Sequence, residues 1–168
     1  MSLQHKLQSP GQMEKPRLTI IFSAALFLTI LLWVYTAASK LVDLDVFKKQ
    51  LDQQHFGTYF SAFLWYTVPL SEILAASLLC FKKTQFLGFC LSAGLMFVFT
   101  VYIGLVIFGF YDRVPCSCGG VLKQMSWRTH FWFNVFFLSI TGFGAWVSGK
   151  RLHTKEKDTT TPWRRNYQ

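Results

Sequence analysis

The chain is 168 residues long, 52% hydrophobic and 18% aromatic, with 18 phenylalanines and only 15% charged residues. Together with a positive mean hydropathy of +0.31, this excludes a disordered chain, a nucleic-acid-binding arm and a cysteine-stapled secreted miniprotein. The net charge of +9 is confined to short segments between long uncharged ones, the pattern of a membrane protein with cationic loops on one side.

Four apolar spans follow one another. Leu18 to Ala38 carries no charge; Phe60 to Phe81 carries one ionisable group, Glu72; Phe86 to Phe110 is uncharged, as is Phe131 to Val147. Crossing a hydrocarbon layer of ~30 Å takes about 20 helical residues, so the first three spans suffice and the fourth is at the lower limit. The connecting pieces are too short to bury cores of their own. The expected fold is therefore all-α, a polytopic four-helix membrane bundle over residues 18–147, with an N-terminal segment 1–17 and a basic tail 148–168. A β-barrel would need alternation every second residue, which runs such as Phe22-Ser-Ala-Ala-Leu-Phe-Leu lack. Thr36-Ala37-Ala38 resembles a signal-peptide cleavage site, but the apolar stretch before it exceeds the usual length, which favours a retained helix.

Eleven Lys and Arg residues fall in the N-terminal segment, the second loop (Lys82, Lys83) and the tail, against six in the first and third loops and at their edges. The positive-inside rule then predicts both termini in the cytoplasm and the first and third loops outside. The tail reads as a polar, mobile, solvated charge cluster, with lipid headgroup contact as its secondary role. In the first loop, Leu41, Leu44, Phe47 and Leu51 recur at helical spacing among Asp43, Asp45, Lys48 and Lys49, predicting a short amphipathic helix on the outer surface or capping the bundle.

The third loop contains Pro115-Cys116-Ser117-Cys118-Gly119-Gly120. Thiols one residue apart can join only in a small, strained ring, and strain favours exchange over a permanent link. Pro115 stiffens the approach, while Gly119 and Gly120 leave room for a partner's sulfur. Outward placement would put the pair in an oxidising compartment, where exchangeable disulfides operate. Two other readings stay open: a soft-metal site for Cu(I) or Zn(II) shared with His130, whose two sulfurs and one imidazole make an incomplete closed set, and a structural turn with incidental thiols. Cys80 and Cys90 read as small buried hydrophobes, a membrane thickness from the loop.

Glu72 sits near mid-span, where an acid should face the interior and be paired or protonated; Pro69 removes a helix hydrogen bond three residues earlier. Its roles are a proton-handling group, a quinone contact, or a structural hydrogen bond to Tyr102 or Asn134. Trp127, His130 and Asn134 share one helical face. His130 is a candidate for lowering a thiol's pKa, or an interfacial residue of an aromatic belt. Lys40, at the outer end of the first span, is expected to snorkel.

These residues resemble a known family. Four spans, Pro69-x-x-Glu72, Phe99-Thr100-x-Tyr102, the Pro-Cys-Ser-Cys-Gly-Gly loop and Trp127-x-x-His130-x-x-Phe133-Asn134 are similar to the MauE/DoxX-type redox-associated membrane proteins over residues 18–147. The resemblance implies a bacterial inner-membrane protein associated with methylamine utilisation. It also implies a thioredoxin-fold periplasmic partner and a redox pair at Cys116 and Cys118. The architecture is similar, too, to the DsbB and vitamin K epoxide reductase type of quinone-linked enzyme. Those enzymes carry two outer thiol pairs and this chain has one, spaced Cys-x-Cys, so independent quinone-coupled oxidation is not implied. The expected function is thiol–disulfide exchange with that partner, with Cys116 and Cys118 reacting, His130 activating and Glu72 in contact with a proton or quinone. The competing classes are soft-metal binding or transport and a non-catalytic assembly subunit.

Overall fold

In a computed structural model, the protein is described over residues 10–52, 58–109 and 126–160. Five helices account for almost all of them: α1 (Pro10–Val42), α2 (Leu44–Asp52), α3 (Thr58–Cys80), α4 (Gln85–Ile107) and α5 (Trp127–Thr160). Four are long and apolar enough to cross a bilayer, over Arg17–Val42, Ser61–Cys80, Gln85–Ile107 and Trp127–His153. In hydrocarbon no water can serve backbone N–H and C=O groups, so a span of this composition closes its hydrogen bonds internally as a helix. The expected all-α, four-span bundle is the observed one.

The spanning helices pack in a closed ring, α1 on α3, α3 on α4, α4 on α5 and α5 back on α1. Trp33, Leu79, Phe89 and Ile103 are fully buried between them. Small residues set the closest approaches. A Cβ on Gly144 would overlap the Phe89 ring, and one on Gly88 would meet Leu79 at 2.9 Å. Small residues at such crossings let helices approach closely where lipid offers no hydrophobic drive for association. The distribution of polarity is inverted relative to a water-soluble bundle. Ile20, Phe27, Leu70, Val98 and Trp132 face outward while Thr29, Ser92, Asn134 and Thr141 face in. An apolar exterior around a partly polar interior is what a hydrocarbon solvent selects.

The amphipathic helix expected in the first loop is α2. Phe47 and Leu51 are buried and Leu44 remains exposed, while Leu41, expected on the same helix, belongs to the end of α1 and is exposed. It packs on α3: Ser61 Oγ donates to the Leu51 carbonyl at 3.2 Å, and Lys48 Nζ lies 5.3 Å from the centroid of the Trp65 ring. α3 continues through Pro69 as one helix.

Two boundaries differ from expectation. α5 does not stop near Val147 but continues to Thr160, and α1 begins at Pro10 rather than Leu18. Hydrophobicity marks where a helix leaves the lipid, not where its backbone ladder ends. Gly149 sits inside α5 against the Phe86 ring instead of breaking it. Beyond it Lys150, Arg151, Leu152, Lys155, Glu156 and Lys157 are good helix formers, so residues 148–160 continue α5 as a helical extension.

Candidate functional site

Cys116 and Cys118, with the whole Pro-Cys-Ser-Cys-Gly-Gly segment, lie outside the described residues. Their anchors do not. On one side α4 closes in a turn with Phe108 N–H donating to Gly104 O at 3.0 Å and Gly109 at φ +75°, a conformation that favours glycine. On the other side Ser126 caps α5. Thr129 N–H donates to its hydroxyl at 3.3 Å, the hydroxyls of Ser126 and Thr129 are 2.8 Å apart, and His130 N–H donates to the Ser126 carbonyl at 2.9 Å. A side-chain oxygen at this position satisfies donors that the first helical turn leaves unpaired.

His130 follows one turn into α5 and is buried at 4% exposure, as is Asn134 one turn further; Trp127 is half-buried. The three thus stand on the inward face of α5, at the end from which the cysteine loop springs. Cys80 and Cys90 are at the opposite end, the last residue of α3 and the sixth of α4. Contrary to expectation both are exposed: they point outward from the bundle and fill no gap in its packing. Among the described residues no group of three or more His, Cys, Asp or Glu is placed to hold a metal ion.

The interior contains an ion pair that corrects two expectations. Lys40 Nζ donates to Glu72 Oε1 at 2.7 Å, with the two side chains 4% and 1% exposed. It also donates to the Thr36 carbonyl at 3.3 Å, and it stands 5.9 Å from the Phe47 ring centroid. Lys40 therefore does not snorkel, and the partner seen at the Glu72 carboxylate is Lys40. The reason is directional. Side chains on a helix lean toward its N-terminus, so a lysine in the last turn of α1 leans back into the bundle. Burial of one charge alone is costly, and a 2.7 Å contact with an opposite charge offsets much of that cost. Glu72 Oε2 is buried with no hydrogen-bond partner among the described residues.

A signal for this pair was present in the chain. Thr29, Trp33, Thr36 and Lys40 step at intervals of four, three and four, and all four are buried; that rhythm puts Lys40 on the inward stripe of α1. Trp33 uses the same stripe to donate from Nε1 to Ser92 Oγ of α4 at 2.8 Å.

Set on this geometry, the family model for the methylamine utilisation protein MauE matches residues 17–147. The chain belongs to the MauE family. No curated protein and no solved structure matches it. The MauE region takes in the first three membrane crossings and most of the fourth, α2, the Lys40–Glu72 pair, the cysteine loop and His130. It ends within α5, so the continuation of that helix to Thr160 lies beyond it. The protein is thus a multi-pass membrane protein of a family associated with methylamine utilisation.

Proposed function

We propose that this MauE-family protein is a thiol–disulfide exchange protein of the bacterial inner membrane. It would pass electrons to or from a thioredoxin-fold partner that matures periplasmic proteins, with the cysteine loop periplasmic and both termini cytoplasmic. The observation that carries the reading is the Pro115-Cys116-Ser117-Cys118-Gly119-Gly120 segment joining two membrane helices of a MauE-family chain. A thiolate of one cysteine attacks the partner's disulfide, forming a mixed disulfide and releasing one partner thiolate. The second cysteine, as thiolate, attacks that mixed bond and releases the other partner thiolate. The loop pair ends oxidised and the partner reduced; the same steps run backward for the opposite electron flow. His130, buried one turn beyond Ser126, is the group we assign to lowering a loop thiol's pKa, since an imidazolium stabilises a thiolate.

The Glu72 carboxylate is assigned the proton or quinone contact. One of its oxygens is taken by Lys40, while the other is buried and unpartnered among the described residues, which fits acceptance of a hydroxyl. A quinol bound there would donate its hydroxyl to that oxygen; oxidation of the thiol pair is not assigned to it, since this chain carries a single outer pair. Finding no quinone in lipid extracts of the purified protein would remove that role and leave the dithiol reading untouched.

Single Cys116→Ser and Cys118→Ser variants test the central claim. One of them is expected to accumulate a mixed disulfide in cells, resolved by reductant on a non-reducing gel. Failure of both to trap any partner, with normal membrane levels of the variants, would refute the exchange reaction.

A further inference from the structure

The two ends of the bundle differ in charge in a way that counting residues along the chain conceals. At the end that carries the start of α1, the α3–α4 turn and the exit of α5, Arg17, Lys82, Lys83, Lys150 and Arg151 are all exposed. Every acidic side chain that is described lies elsewhere: Asp43 and Asp45 near the opposite end, and Glu72 in the interior. Residues 1–17, 82–83 and 148–168 together carry eleven Lys and Arg against three acids (Glu14, Glu156 and Asp158). Residues 43–59 and 109–130 together carry five cations and four acids. Nearly all of the net charge therefore belongs to the first set of segments.

Two of these cations are held in place by aromatic rings, and two stand on a braced turn. Arg151 lies with its guanidinium 4.2 Å from the centroid of the Phe22 ring, bridging α5 to α1. Phe22 is itself fixed against Phe89 at 5.6 Å. Lys150 stands 3.9 Å over the ring of Trp146, an indole that remains exposed on the outer face of α5. Lys82 and Lys83 occupy a turn fastened by Thr84, whose hydroxyl donates to the Leu78 carbonyl at 2.7 Å and whose N–H donates to Phe81 O at 3.0 Å. Exposed Phe81 lies beside them. A lysine over an outward-facing indole, beside an arginine seated on a buried ring and a lysine turn next to exposed Phe81, matches the boundary of a bilayer, where phosphate oxygens meet hydrocarbon.

We infer that this basic end is a binding surface for anionic phospholipid headgroups, with Arg151 and the Lys82–Lys83 turn supplying the main phosphate contacts. Arg presents a planar fork suited to phosphate and Lys a compact point charge. Immobilised cations lose less entropy on binding than free ones. The helical extension of α5 keeps Lys150 and Arg151 on the bundle surface instead of in a solvated tail. The inference is independent of the cysteine chemistry.

The test uses the full chain in nanodiscs of phosphatidylcholine, with or without phosphatidylglycerol. Retained lipid is counted by native mass spectrometry and stability by the thermal unfolding midpoint. Phosphatidylglycerol is expected to be retained preferentially and to raise the midpoint. Preference should fall about fivefold for each cation removed, in Arg151→Gln and, should that variant disturb the Phe22 contact, in Lys82→Ser/Lys83→Ser. A Lys48→Ser/Lys49→Ser variant at the opposite end should keep the preference. Equal retention of the two lipids, equal loss in the opposite-end variant, or the same stabilisation by inorganic phosphate in pure phosphatidylcholine would overturn it.

Discussion

Lys40 and Glu72 stabilise one another only as a pair, and that asymmetry is measurable. Replacing Lys40 by Met leaves an acid at 1% exposure without the contact at 2.7 Å. The expected loss is about 3 kcal/mol, the scale for an unpaired acid within a membrane helix or a broken buried pair. Lys40→Met/Glu72→Leu should recover most of it, because an apolar pair of similar volume removes both desolvation costs. Reversible unfolding in detergent reads the cycle; a double variant as unstable as the single would show that the pair is not coupled. Trp33→Phe probes a milder interaction, its Nε1 bond to Ser92 at 2.8 Å, and should cost only about 0.6 kcal/mol, typical of side-chain hydrogen bonds between membrane helices.

At the scale of helices, the α4–α5 crossing depends on a missing side chain. A methyl group on Gly144 would meet three atoms of the Phe89 ring within 2.6 Å, and that ring is fully buried. Gly144→Ala is expected to destabilise by about 1–3 kcal/mol through forced repacking. Gly94→Ala, with nothing within 4 Å of the added carbon, should stay within about 0.5 kcal/mol of the parent. Equal thermal midpoints for the two variants would contradict this account of the crossing. α2 is held differently, by Phe47 and Leu51 against the bundle. Phe47→Ala should release it locally, so amide hydrogen exchange in 44–52 rises while that of α4 is unchanged. Uniform acceleration in both helices would instead make α2 part of the global unit.

For the whole molecule, the decisive property is which aqueous phase each end of the bundle meets. The charge asymmetry predicts that the cysteine loop faces outward. An impermeant maleimide should label Cys116 and Cys118 in intact cells after reduction. Cys80 and Cys90, turned outward toward lipid at the opposite end of the bundle, should stay unlabelled in intact cells. Shielding of the loop thiols in intact cells, with labelling in broken ones, would reverse the orientation and remove the oxidising compartment on which the exchange proposal depends.

Length and polarity along the chain were enough to determine the four crossings, the all-α class and the short helix of the first loop, because a bilayer demands about 20 apolar residues per helix wherever they occur. The Cys-x-Cys segment and the family resemblance were equally legible, being local in sequence. Helix ends were not: leaving the lipid does not break a backbone ladder, so α5 continues to Thr160 past the last apolar run. Nor could the chain alone decide the fate of Lys40. Whether a lysine near a membrane boundary reaches for water or for an acid 32 residues away depends on the direction its side chain leans and on which neighbouring helix stands in its path. Both are settled only when α1, α2 and α3 pack together, which brings Nζ to 2.7 Å from Glu72.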